Sequence, residues 1–291
     1  MEKLAVLDAF QQKVVFIHTS TGKIEYTIEQ VGHADGLQMD KANGYLYWTD
    51  MGPNRNGEDF LHPDGAIYRS KLDGSARELL IGNGQICTPK QLQLDPETQY
   101  LYWCDREGAS ICRAKTDGSQ LEKLVERNNS PIYPKNIHDQ CVGIAIDKDR
   151  DHIYWTQKGP KKGGKGRIFR AGLNIPLGEN ALNRSDILTL LSDLPEPIDL
   201  EIDKANRILY WTDRGSEPNG NTLNCANITD DGLMNHRILA NGFKEAIGLI
   251  LGDSYIFVSD LSGCVYRINL DTLEKDVIYS GGEALTGIAI Y

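Results

Sequence analysis

Six side chains able to carry a proton or hold a cation stand at the start of short apolar stretches: His33 and Asp35, His138 and Asp139, Glu196 and Asp199. Carboxyl and imidazole groups act as general acid and base when burial or a neighbouring charge brings a pKa toward the working pH. These six are therefore the expected catalytic residues. Beside them Lys90, Gln91, Glu245 and Thr286 offer hydrogen bonds and charge for orienting a substrate. Two longer loops, 51–66 and 128–140, carry Arg55, Phe60, His62 and Tyr133, which are expected to fold over a bound molecule. Asp35, Glu196 and Asp199, with Gln91, would also supply hard oxygen ligands to calcium or magnesium. The reading taken is without a metal, because the acids of every repeat also have structural uses. The chain contains no nucleophile–base triad, metal-ligand spacing or cofactor fingerprint, so no organic cofactor is expected and hydrolysis, isomerisation and ring closure stay open.

What places these residues together is a repeat. Tyr47-Trp48-Thr49-Asp50 returns as Tyr102-Trp103-Cys104-Asp105, Tyr154-Trp155-Thr156-Gln157 and Tyr210-Trp211-Thr212-Asp213, then more weakly as Phe257-Val258-Ser259-Asp260 and Ala5-Val6-Leu7-Asp8. In chain order the copies are 42, 55, 52, 56 and 47 residues apart, the spacing of a repeated four-stranded unit. Ahead of each motif runs a short apolar strand, such as Gly36-Leu37-Gln38-Met39-Asp40 or Gly143-Ile144-Ala145-Ile146-Asp147, joined to it by a polar turn such as Asp40-Lys41-Ala42-Asn43-Gly44. After it come Ile67-Tyr68-Arg69, Ile111-Cys112-Arg113, Ile168-Phe169-Arg170 and Val265-Tyr266-Arg267, then an outer strand such as Arg77-Glu78-Leu79-Leu80. The last stretch is an innermost strand without a follower, and the first is a second strand without a predecessor. Strand 286–291 should therefore pair with strand 3–8 and close the ring, removing exposed sheet edges. The expectation is an all-β, six-bladed propeller of four-stranded antiparallel blades, with 1–291 as a single domain.

The Tyr-Trp-Thr-Asp copies, the Leu72-Asp73-Gly74-Ser75 type of turn and the Gly-Ile-Ala-Ile-Asp type of strand resemble the YWTD six-bladed propeller of the low-density lipoprotein receptor family. The resemblance covers essentially the whole chain. It implies the fold, and it implies a face that holds a peptide or protein, as in the receptors. There the propeller is extracellular and is followed by an epidermal-growth-factor-like module, which has no counterpart in this sequence. Other six-bladed propellers, the gluconolactonase-like and strictosidine-synthase-like proteins, are enzymes with a site at the channel mouth; because no secretory context is read here, the preferred reading is a small-molecule pocket, with the protein-binding platform as alternative.

Within the repeat, Trp48, Trp103, Trp155 and Trp211 are expected to wedge between blades, and the motif acids to satisfy backbone donors. Arg69, Arg113, Arg170 and Arg267 recur at one position and are expected to pair with a motif Asp. Individuality is expected only in the loops around the mouth. The segment 172–186 should leave the opposite face.

A formal net charge of -10 argues against nucleic acid or an anionic membrane as partner. The run from Lys158 to Gly166 lacks the strand, Gly-Lys-Ser/Thr and helix of a phosphate loop and reads as a solvated loop. Apolar content of 40% without a stretch of about 18 apolar residues predicts no membrane span. Cys87, Cys104, Cys112, Cys141, Cys225 and Cys264 are scattered and are expected to be reduced and mostly buried, although Cys104 and Cys112 fall on adjacent strands. Asn128, Asn183 and Asn227 begin glycosylation-type triplets that read as chance. With the first repeat beginning at residue 5, no leader segment is read, and the chain is expected to be cytoplasmic and monomeric.

Overall fold

The computed structural model describes residues 3–54 and 60–291. Six sheets of four antiparallel strands form the ring, five of them with their strands in chain order from the centre outward and one with the last strand of the chain innermost. The innermost strands of blades 1 to 6 are Leu285–Ile290, Ala34–Asp40, Pro89–Asp95, Ile144–Asp147, Pro197–Asp203 and Ala246–Leu251. Blade 1 is completed by Lys3–Asp8, Lys13–His18 and Ile24–Glu29, so the two ends of the chain share a sheet. Leu4 pairs with Ile290, Ala5 with Ala289 and Val6 with Ile288, which closes the ring as the unmatched ends require.

The motif dipeptide explains how blades pack. Successive side chains on a strand point to opposite faces, so Tyr and Trp serve two different interfaces. Trp48 of blade 2 joins Leu7, Val14 and Phe16 of blade 1, while Tyr47 joins Leu101 and Trp103 of blade 3. Tyr102 likewise meets Trp155, and Tyr154 meets Trp211. The degenerate copies keep the scheme with smaller residues: Tyr210 packs on Val258, and Phe257 on Val6. All four Trp side chains are fully buried.

The third motif residue ties the innermost strands to each other. Thr156 Oγ1 accepts from Gly143 N at 2.7 Å in its own blade and donates to Ile198 O at 2.6 Å in the next. Thr49 does the same between Gly36 N and Lys90 O, and Thr212 between Asp199 N and Ile247 O. Cys104 Sγ donates to Gly143 O, and Ser259 bridges Gly248 and Thr286. Blade 1 has Leu7 at this position, and there Thr286 Oγ1 reaches Ala34 O instead. These approaches are so close that a Cβ on Gly143 would stand 1.9 Å from Ile198 O, and one on Gly36 2.5 Å from Lys90 O.

The expected pairing of the recurrent arginines with motif acids does not occur. Antiparallel register sets Arg69 opposite Tyr47, and Asp50 opposite Ala66, three residues away. Arg69 lies 4.9 Å over the Tyr45 ring and bonds Glu78 of the outer strand and Thr116 O of the next blade. Arg113 and Arg267 pair with Glu122 and Asp276, and Arg170 with Thr229 O and Asp230 O. All six cysteines are unpaired, five of them buried. Segment 172–186 does leave the face opposite the mouth: Leu173 N bonds Asp151 O at the turn after the innermost strand, and buried Arg184 ties the segment to Leu124 O of blade 3.

Candidate functional site at the channel mouth

A cavity of about 490 Å³ opens at the mouth, lined by two rings of side chains to which each blade contributes one residue apiece. The inner ring comes from the second residue of the innermost strand or its equivalent: Thr286, Asp35, Lys90, Val142, Ile198 and Ile247. The outer ring is the residue that follows each motif: Ala9, Met51, Arg106, Lys158, Arg214 and Leu261. Motif acids hold this geometry. Asp50 Oδ1 accepts from His33 N and Gly52 N, Asp105 from Cys87 N, Thr88 N and Gly108 N, and Asp213 Oδ1 from Glu196 N and Gly215 N. In five blades the outer-ring N–H then donates back to the loop before the innermost strand, as Arg106 N does to Thr88 O and Arg214 N to Glu196 O. Gln157 stands at the acid position of blade 4 and donates to His138 O.

The two rings are chemically lopsided. Three consecutive blades, 3 to 5, present Arg106, Lys158 and Arg214, whereas blades 6, 1 and 2 present Leu261, Ala9 and Met51. Below them Val142, Ile198 and Ile247 form a small apolar cluster with Leu261 against it. Phe10 and Phe60 stand on the apolar side of the lip. Each cation has an acid nearby: Arg106 Nε bonds Glu107 at 2.6 Å, Lys158 Nζ lies 3.3 Å from Glu196, and Arg214 lies 3.8 Å from Glu196 and 3.7 Å from Glu245. Lys90, 7% exposed, lies 3.6 Å from Asp35 and contacts Met51 Sδ. Burial lowers the Lys90 pKa to about 8, with Arg106 and Arg214 adding to the effect and Asp35 opposing it. Lys158 is lowered for the same reasons, burial first and then Arg214. Two polar atoms here have no hydrogen-bond partner among the described residues, Asp35 Oδ2 and Arg214 Nε.

The residues expected from sequence divide into three groups. His33, Asp35, Lys90, Phe60, Glu245 and Thr286 line the cavity, with the His33 and Phe60 rings 5.5 Å apart. Glu196, Asp199 and Gln91 are buried behind it. Glu196 is the counter-ion of two cations. Asp199 accepts from Leu200 N and Leu249 N, and burial, with Glu201 next, lifts its pKa well above the carboxylate range. Gln91 Nε2 reaches Asp35 O at 3.4 Å.

The third group corrects the expectation for loop 128–140, which packs beside blade 3 rather than over the mouth, because Lys135 N bonds Glu107 O and Gln140 Nε2 bonds Lys135 O. Tyr133 is thus 41% exposed under Lys135, Asp139 is held by Asn128, and exposed His138 borders a separate surface hollow with Lys165 and Arg167. His62 is exposed outside the cavity and its carbonyl accepts from Cys87 Sγ. Arg55 lies outside the described residues. Sequence reasoning passed over Arg106 and Arg214 and read Lys158 as part of a solvated loop, a reading corrected by its burial beside Glu196. The signal for all three was their place directly after the motif in three successive copies. Asp35, Glu196 and Asp199 do not converge on one point, and no group of three metal-binding side chains occurs among the described residues.

A protein of Pyricularia oryzae named low-density lipoprotein receptor-related protein 1 is 44% identical over 270 residues, covering 88% of this chain and 84% of its own length. The chain belongs to the YWTD propeller family of low-density lipoprotein receptor type. A second member, the 3-hydroxyacyl-CoA dehydrogenase-like protein LAM1 of Cochliobolus heterostrophus, is 40% identical over 271 residues; these cover 88% of this chain but only 56% of that protein. Protein cueball of Drosophila grimshawi is more distant, 24% identical across 70% of this chain. Among solved structures the YWTD propeller is matched by a chain of the nidogen/laminin complex, with a TM-score of 0.76, 19% identity, and coverage of 100% of this chain and 98% of that one. No protein-family profile matches the sequence.

Proposed function

We propose that the channel mouth binds a small organic anion with an apolar portion and performs acid–base chemistry on it, without an organic cofactor. The observation that carries this reading is the 490 Å³ cavity whose rim is cationic on three adjacent blades and apolar on the other three. That volume lies in the range of small-molecule sites, about 300–1,000 Å³. A carboxylate or phosphate would lie against Lys158 and Arg214, with Arg106 beside it, and its apolar part against Ile247 and Leu261. Asp35 and Lys90, on neighbouring innermost strands, are the acid–base pair, and His33 stands at the same wall. Hydrolysis, isomerisation and ring closure are the reaction classes that such groups support. A reducing, cytoplasmic setting suits six unpaired thiols.

The reading is tested with small aromatic and aliphatic carboxylates and phosphates, by thermal shift and calorimetry on the wild type, Arg214→Ala and Lys158→Met. Each variant leaves Glu196 with the other cation. At least about tenfold weaker anion binding is expected in both, the ordinary loss for a charged contact. Binding that is equal in all three proteins would remove the mouth from consideration.

A second reading, a platform for a protein partner, is favoured by Phe10, 71% exposed at the lip. An exposed aromatic beside charged groups is what an interface anchor needs. Phe10→Ala separates the two, since it would weaken a protein complex far more than a small anion held by the opposite side of the ring.

A further inference from the structure

We propose that Lys90 is a nucleophile that forms an imine with a carbonyl-bearing substrate, and that Asp35 carries the proton for that step. The inference rests on the small-anion reading of the mouth and narrows its substrate class to aldehydes or ketones bearing an acidic group.

The argument begins with position. Lys90 belongs to an innermost strand rather than a loop, and its strand is locked on both sides: Thr49 Oγ1 donates to Lys90 O, and Asp105 carboxylate oxygens hold the backbone just before it. The side chain has nowhere to go but the cavity. There its amine has few partners: the Met51 thioether, and Asp35 Oδ1 at 3.6 Å, beyond a good hydrogen bond. A lysine meant only as a structural counter-ion would be closed in a shorter pair. The far oxygen of Asp35 is also unpartnered among the described residues, though Asp35 is only 4% exposed. Two buried polar groups with unused hydrogen-bonding capacity, side by side at a cavity wall, leave room for a ligand that both donates and accepts.

Charge surroundings supply reactivity. Desolvation and the guanidinium groups of Arg106 and Arg214 disfavour the ammonium form. With its pKa at about 8, Lys90 holds on the order of a hundredfold more free amine at pH 7.5 than an ordinary lysine. Buried amines next to other cations are a recognised route to Schiff-base catalysis.

The step balances without a redox partner. Free Lys90 Nζ adds to the carbonyl carbon and the C=O π pair moves to oxygen, after which Asp35 takes one proton from the nitrogen and passes it to that oxygen, giving a neutral carbinolamine. Asp35 then takes the second N–H proton and delivers it to the hydroxyl, the C–O bond breaks to release water, and the nitrogen electron pair forms the C=N bond. One amine and one carbonyl give one imine and one water, and hydrolysis restores the lysine. The Arg106–Lys158–Arg214 arc would hold the acidic group of the same molecule.

The probe is 4-formylbenzoate, which combines an aldehyde, a carboxylate and an apolar ring, with sodium cyanoborohydride to fix the adduct and peptide mapping to locate it. Lys90 is expected to be labelled at least about tenfold faster than exposed Lys161 and Lys162 at pH 7.5. Folded Lys90→Arg should take no adduct at that position, and Asp35→Asn should slow labelling at Lys90 about tenfold or more, as loss of an acid–base group does. Terephthalate, which has no aldehyde, reports on the pocket alone. If terephthalate binds while Lys90 reacts no faster than Lys161, the imine is ruled out and the pocket survives. If neither terephthalate nor 4-formylbenzoate engages the mouth, both readings fall together.

Discussion

The fourth residue of each motif and the residue after it are neighbours on one strand end, yet they belong to different regimes. The fourth is Asp8, Asp50, Asp105, Gln157, Asp213 and Asp260, nearly uniform; the five acids are spent on backbone N–H groups of the loop before the innermost strand, and Gln157 donates to His138 O of that loop. The fifth is Ala9, Met51, Arg106, Lys158, Arg214 and Leu261, with nothing in common, and its side chain faces the cavity while in five of the six blades its N–H serves the scaffold. One residue of chain separates a position fixed by hydrogen bonds from one free to vary. A ring of repeats thereby acquires a site without disturbing its frame, since the fifth residue's structural duty is carried by backbone that every amino acid except proline possesses.

The comparison breaks first on the scaffold side. Trp211 is fully buried against Tyr154 and Leu200 at the interface of blades 4 and 5. Trp211→Ala should cost about 3–5 kcal/mol, as large-to-small changes in a packed core do. Denaturant titration would check it, and a loss below about 1 kcal/mol would mean that blades are not held by the motif aromatics. Next in size is Asp105→Ala, which strands the N–H groups of Cys87, Thr88 and Gly108. About 2–3 kcal/mol of stability should go. Anion binding at the mouth should weaken as well, because the loop leading to Lys90 loses its anchor.

Fold and site were legible to different depths for the same reason. The ring could be read because Tyr47-Trp48-Thr49-Asp50 recurs for packing and hydrogen-bonding causes that act in every blade, and because the unmatched ends near Leu7 and Ile288 must satisfy each other. Asp35, Lys90 and Thr286 could be read because they differ at one repeated position. Repetition misled in the case of Arg69 and its equivalents, where recurrence was taken as pairing with the motif acid although register sets them across from Tyr. Nor does sequence say where a long loop goes: 128–140 has the length of a lid, and backbone bonds to Glu107 draw it aside. Arg106 and Arg214 stayed hidden because they adjoin the motif, and Lys158 because the glycine and lysine residues of 159–166 made its whole run read as solvent-facing.

A pH measurement sharpens the comparison at its fourth position. Both backbone bonds to Asp213 end on Oδ1, while Oδ2 is buried without a partner among the described residues. Burial raises its pKa to about 7, and Glu196 adds to this against the two backbone donors. The folded state therefore binds a proton that the unfolded chain releases near pH 4, so this group's contribution is full below about pH 4 and is lost as pH rises through 7. Asp213→Asn keeps an Oδ1 acceptor and carries no charge. Its stability relative to the wild type should grow between pH 4 and 7 by about 4 kcal/mol and stay level above. A difference independent of pH would show that Asp213 is ionised throughout.

The smallest change in stability belongs to the fifth position and is the most telling. Arg214 carries a partly exposed side chain, and its removal leaves Glu196 still beside Lys158 and Glu245 in contact with solvent. Its N–H bond to Glu196 O is backbone and survives any substitution but proline. Arg214→Ala should therefore alter unfolding free energy by no more than about 0.5–1 kcal/mol, the scale of partly exposed ion pairs. Carboxylate binding at the mouth should fall about tenfold or more in the same protein. The two readouts must separate in opposite directions from those of Trp211→Ala, whose bound affinity per folded molecule should hardly move while its stability collapses. If Arg214→Ala unfolds the ring, or leaves binding intact, then the fourth and fifth residues are not two regimes, and the cationic arc is scaffold like the acids beside it.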